Sequence, residues 1–226
     1  YFYEQWLGQI NSGTGLPAFY AIRFGDPWYR AWKIEPIFPE ELSQPEMTLP
    51  FEPGVIWAYT SGPHTAWEKH GPPAALDFAP ETAEGGCEVS EEWVLAPAAG
   101  LVIRVGDGLV VLDLDGDGNE GTGWVVIFMH IAELERIYTG TRLNAGDRIG
   151  HASCEGGRAS AAHLHIARKY NGEWIEAGGP IPFVMDGWVA VSGEVDYKGA
   201  LIKDEAVITA DINAAQISYI IRDEIE

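Results

Sequence analysis

Two imidazoles stand two residues apart in His163-Leu164-His165, and the residues that follow, IARKY, alternate apolar and polar as a half-buried strand does. Side chains two apart on a strand share a face, about 6.6 Å along the backbone. His163 and His165 therefore point one way while Leu164 and Ile166 point into a core. Such a pair suits a metal ligand beside a proton-transfer group, although two ordinary histidines on a surface strand would share the pattern. Four more histidines lie upstream, His64, His70, His130 and His151. Asp77 sits between Leu76 and Phe78, where an acid is costly to bury unless it is paired, hydrogen-bonded to backbone or bound to a metal.

The elements that must position these groups read as short strands. LPFEPGVIWAY runs as a strand into a turn at Ser61-Gly62-Pro63 and then His64, and AALDFAP is a short apolar strand carrying Asp77. EEWVLAPAAGLVIRVGDGLVVLDLDGDG gives several strands separated by glycine turns. In WVVIFMHI, alternation places Trp124, Val126, Phe128 and His130 on one face. Two short strands flank Asn144-Ala145-Gly146. The HLH strand meets a hairpin partner, GEWIEA, across Asn171-Gly172. The expectation is a mainly β, antiparallel, β-sandwich-like core. Three segments follow: an aromatic and proline-rich extension over 1–46, a central domain over 47–188, and a β-rich accessory tail over 189–226 to which no chemistry is assigned. In the extension, Tyr3 to Ile10 could form a short helix and Trp6, Trp28 and Trp32 are the packing residues.

A formal charge of −20 excludes nucleic acid as the natural partner, since such sites need a basic footprint. No apolar run approaches the roughly 18 residues of a membrane span. The start, YFYEQWLGQI, has no basic residues, apolar core or cleavage site of a signal peptide. Cys87 and Cys154 are the two cysteines; they are either one disulfide, which implies an oxidising compartment, or two buried thiols.

His64, twelve residues, then Asp77; His130 at the end of a strand; Ser153-Cys154-Glu155-Gly156-Gly157 leading to His163-x-His165; and Tyr170-Asn171-Gly172: this order resembles the beta-lytic and staphylolysin-like zinc endopeptidases, relatives of the lysostaphin-type peptidoglycan hydrolases. The segment LPFEPGVIWAYTSGPH is similar to that family's approach to its first ligand, and the resemblance spans roughly residues 48 to 185. It implies the duplicated hybrid motif fold, one zinc held by His64, Asp77 and His165, and His130 and His163 as an uncoordinated catalytic pair. Three N/O ligands leave a fourth position open, as a catalytic zinc requires. It also implies a Cys87–Cys154 disulfide, a secreted or cell-envelope location, a monomer, and a substrate drawn from peptidoglycan cross-bridge peptides or glycine-rich peptides. Two positions depart from the family: Phe128 stands where a tyrosine is usual, removing a hydroxyl from His130's face, and Ala161 stands where a glycine turn is usual, so that a left-handed backbone there would be strained. His70 and His151 read as loop histidines.

Two other readings compete. A non-catalytic relative would bind cell-wall peptide or regulate a hydrolase, and a closed structural site would recruit His130 or His163 as a fourth ligand. Separately, Asp113, Asp115 and Asp117 resemble the first half of a calcium loop, but position twelve is Trp124 where glutamate is needed, and DGDGNEG is more simply a hairpin tip.

Overall fold

The computed structural model describes residues 39, 41–67, 71–81 and 86–223. The chain divides into two compact units, Tyr1–Leu42 and Ser43–Glu226. Nearly all of the first lies outside the described residues, as do the Tyr3–Ile10 helix, the three tryptophans expected to pack the extension, and His70.

The second unit is built almost entirely from antiparallel strands, and no α-helix occurs among the described residues. Its main sheet contains β1 (Ile56–His64), β2 (Ala75–Pro80), β4 (Gly100–Gly106), β5 (Leu109–Asp113), β6 (Trp124–Met129), β7 (Arg142–Leu143), β9 (Leu164–Tyr170), β10 (Glu173–Trp174) and β15 (Tyr219–Ile221). The strand order is β15-β1-β2-β9-β6-β5-β4-β7, with β10 hairpinned onto β9. A two-stranded sheet pairs β3 (Trp93–Leu95) with β8 (Arg148–His151), and a four-stranded one runs β11 (Val184–Met185), β12 (Trp188–Ser192), β13 (Gly199–Lys203), β14 (Ala206–Thr209).

The period-two pattern decides which face is dry. From β1, β2, β9 and β6, Trp57, Tyr59, Leu76, Phe78, Leu164, Ile166, Val126 and Phe128 all enter one core, closed from the other side by Phe51, Val94, Ile131, Ile149 and Phe183. Phe51 stacks on Trp57 at 5.0 Å, and Phe78 tilts against Phe51 and Tyr59. Burying each such ring contributes about 1.5–3 kcal/mol, so register here is strongly specified. The opposite face carries small or polar residues on two strands, Ala75 and Asp77 on β2 and His165 and Ala167 on β9, and on β6 Ile127 and Met129, which join a second apolar cluster with Leu109, Val111 and Val125. Asp77 pairs with His165, and His165 with Met129, so two of the candidate ligands sit on one face because their strands are neighbours.

Candidate metal centre

His64 ends β1, and Gly62 before it lies where an added Cβ would meet the Lys198 carbonyl at 2.5 Å. Only glycine lets β1 run this close to the 193–199 segment. The His64 ring donates its Nδ1–H to the Gly62 carbonyl at 2.8 Å, which turns Nε2 inward. His165 is oriented the opposite way round: its Nε2–H donates to the Ala66 carbonyl at 2.9 Å, leaving Nδ1 inward. The Asp77 Oδ1 stands 3.0 Å from His165 Nδ1 and 3.3 Å from His64 Nε2, and the two imidazole nitrogens are 3.2 Å apart. All three residues are buried.

With the outer nitrogens committed as donors, the neutral imidazoles and the carboxylate present three lone pairs to one point and no proton between them. Buried acceptors that face only each other are costly. A cation relieves this, and the donor set is the N/O set zinc prefers. Zn–N bonds of about 2.0–2.1 Å in a tetrahedron put neighbouring donors about 3.3 Å apart, and the three separations match that spacing. Without a metal a proton plays the part. Burial opposes a charged His64, but the Asp77 carboxylate outweighs it and raises His64 above its ordinary value. Burial likewise acts to raise Asp77, yet His64 and His165 hold its carboxyl well below the usual carboxylate range.

His163 and His130 stand beside this group. His163 donates Nδ1–H to the Ala161 carbonyl at 2.8 Å, and its Nε2 is 3.9 Å from Asp77 Oδ1. The His130 ring lies 4.4 Å from that of His163 and 6.1 Å from that of His165. Its Nδ1–H donates to the Glu155 carbonyl at 2.8 Å, so its free nitrogen is Nε2. Burial, reinforced by electrostatic repulsion between the two imidazoles of His130 and His163, pushes His130 down to about 4. It is therefore a neutral acceptor at neutral pH.

His130 does not reach the site as strand alternation expects. β6 ends at Met129, and His130 takes a left-handed backbone, φ 62°. That conformation is uncommon for a side-chain-bearing residue and is held here by Ser153, whose N–H and Oγ–H both donate to the His130 carbonyl at 2.7 and 3.0 Å. The turn swings the ring to the Asp77 face, while Phe128 stays fully buried in the core on the other. The missing hydroxyl at Phe128 is consequently no loss to the site. Nor is Ala161 strained, since its φ is not positive. His151 is a strand residue rather than a loop one: it lies buried in β8 with its ring 3.9 Å from that of Trp93.

Cys87 and Cys154 form a disulfide. The glycines beyond Cys154 are required by close approach: a Cβ on Gly156, whose φ is +71°, would lie 1.7 Å from the Asp107 carbonyl, and one on Gly157 3.3 Å from His130 Cε1. The segment can thus lie flat against the β4–β5 turn and present the Glu155 carbonyl to His130. The Asp113, Asp115 and Asp117 carboxylates also come together, within 4.8 Å. Their oxygens, however, serve the hairpin: Asp113 accepts the N–H groups of Gly116 and Gly118, Asp115 that of Asp117, and Asp117 that of Asn119 and the Thr122 hydroxyl. This is a hydrogen-bonded tip between β5 and β6, and it supports no calcium site.

The tail supplies what the sequence reading missed. Tyr197 stacks on His64 with ring centroids 4.5 Å apart and planes 19° apart, and the Tyr197 N–H donates to the Pro63 carbonyl. Tyr197, Ile212 and Asn213 line a cavity of about 460 Å³ that opens beside Asp77 and His163. No local motif marks Tyr197; the only signal was a polar, turn-forming VDYK between two strand-like runs.

No protein-family model and no curated protein matches the chain. Among solved structures, the chain is similar to the M23 metalloprotease pseudoalterin from the deep sea, with a TM-score of 0.61 and 20% identity over 74% of this chain and 96% of that one. The lysostaphin catalytic domain of Staphylococcus simulans aligns over 54% of this chain and 87% of its own at 21% identity, with a TM-score of 0.36 that is too low to argue from. The mainly antiparallel architecture of this chain is thus the fold seen in the M23 metalloprotease pseudoalterin.

Proposed function

We propose that the chain is a zinc-dependent endopeptidase of the lysostaphin-like kind, hydrolysing peptide bonds in peptidoglycan cross-bridges or other glycine-rich peptides. The observation that carries this reading is the pairing of three inward-facing N/O donors, 3.0–3.3 Å apart, with two further imidazoles whose outer nitrogens are likewise fixed. His64, Asp77 and His165 hold the ion, which when bound supplies an acidified water and a polarised scissile carbonyl. His130 and His163 move the protons. Each has one nitrogen tied to a backbone carbonyl and Nε2 left for the reaction, so one accepts the proton of the attacking water and the other returns one to the leaving amine. The separation of His163 from Asp77, 3.9 Å, speaks against a closed site of four protein ligands. In this reading the peptidase domain spans 47–188, the 189–226 segment contributes one wall of the cavity, and the protein works as a monomer outside the cytoplasm, where its disulfide persists.

The test is direct. Purified protein should carry about one zinc per chain and release products of defined mass from muropeptides or a glycine-rich peptide, with activity lost on chelation and restored by zinc. Metal-replete protein that cuts none of these substrates would refute the proposal.

A further inference from the structure

The cavity beside Asp77 and His163 has one basic residue in its lining, Arg158, at its exposed edge. The chain has 34 acidic and 14 basic residues. Among the described residues Arg104, Arg148, Lys169, Lys203 and Arg222 pair with carboxylates, while Arg136 and Arg168 donate to backbone carbonyls. Arg158 has neither an ion-pair nor a hydrogen-bond partner among the described residues. Two acids share its cavity: Asp77 faces His64 and His165, and Glu81 is engaged by the Tyr219 hydroxyl. Its loop is also pinned on both sides: Cys154 is bridged to Cys87, Gly157 lies against His130, and the Ala162 N–H donates to the Gly86 carbonyl at 2.7 Å. Arg158 thus stands on a braced loop at the edge of a cavity of ligand size, about 460 Å³, whose lining also includes His163.

We infer that Arg158 is a specificity residue that pairs with a carboxylate of the bound peptide, so that the preferred substrate is a small-residue peptide carrying a free carboxylate near the scissile bond. A planar guanidinium takes a carboxylate through two parallel N–H···O bonds, which fixes the register of the peptide as well as its charge. Because Arg158 is exposed, the pair contributes a modest preference that weakens with salt.

The inference rests on the peptidase reading, and the experiment separates the two. Three probes are used: a glycine pentapeptide with a free terminal carboxylate, its carboxamide, and a carboxamide carrying one glutamate side chain. Both kcat/KM and Kd are measured for each on the metal-loaded protein. The acid-to-amide ratio is expected to be about three- to fivefold at low salt, to fall to about one in Arg158→Ala, and to drop below one in Arg158→Glu. Preference for the glutamate probe over the terminal acid identifies a side-chain carboxylate as the partner, and the reverse order a chain terminus. A native ratio of one, or a ratio that survives Arg158→Ala, overturns the inference. If no probe is cut, the peptidase reading falls, and the Kd ratio still decides Arg158: equal Kd values for acid and amide overturn it.

Discussion

Removing the Cys87–Cys154 bridge by a double serine substitution should damage catalysis and stability while leaving the metal in place. The bridge closes a loop of 67 residues. Freeing that loop in the unfolded chain costs the native state about 4 kcal/mol on the chain-entropy account. With an m value of about 2–2.5 kcal/mol/M, the urea midpoint should fall by about 1.5–2 M. The catalytic effect follows from what the bridge ties. The residue after Cys154 is Glu155, whose carbonyl holds His130 Nδ1–H at 2.8 Å, and the residue before Cys87 is Gly86, whose carbonyl holds the Ala162 N–H next to His163. Slackening these loops by about 1 Å should lower kcat on the order of 100-fold. The donors His64, Asp77 and His165 hang instead on β1, β2 and β9, paired by the main sheet, so zinc affinity should hardly change. Urea unfolding, kcat on a glycine-rich peptide and zinc stoichiometry would be measured on the same preparation. A fully active variant, or one that loses zinc before it loses kcat, would refute this account of the bridge as the strut of the histidine pair.

Three further outcomes are expected. His165→Ala should abolish both zinc binding and activity, whereas His163→Ala and His130→Ala should retain zinc and lose activity by about 10²–10⁴-fold; metal loss from His163→Ala but not from His165→Ala, read by metal analysis, would reverse the assignment. Zinc affinity should fall as pH drops through the raised His64 value, because Nδ1 is committed to Gly62 and the extra proton must sit on the inward Nε2, from which the metal displaces it. The same raised value stabilises the metal-free fold at lower pH and is lost as pH rises through it; titration calorimetry in two buffers should show about one proton released per ion at low pH and fewer at high pH, and a flat profile would contradict this. Tyr197→Ala should weaken zinc binding about two- to tenfold by removing the ring stacked on His64, with the fold intact, as read by competition with a chelator.

Strand alternation and turn chemistry made much of this protein legible in advance. Leu76 and Phe78 bracket Asp77, and Leu164 and Ile166 bracket His165, so each apolar pair had to face the core and each polar residue the other side. That is local information, carried by a period of two, and it sufficed for the antiparallel β class and for turning His165 away from the core; that Asp77 lies beside it depends on β2 and β9 being neighbours. Three further things needed the folded chain. The reach of His130 depends on a left-handed residue held by Ser153, an interaction between positions 23 apart that alternation cannot contain. Both inward nitrogens are chosen by backbone carbonyls, Gly62 for His64 and Ala66 for His165, and which one a histidine meets is a matter of packing. The tail looked like accessory sheet, yet it sets Tyr197 against His64 across 133 positions of chain. Residue types state what chemistry is available; which lone pairs face one another, and at what distance, is settled only when distant segments are brought into contact.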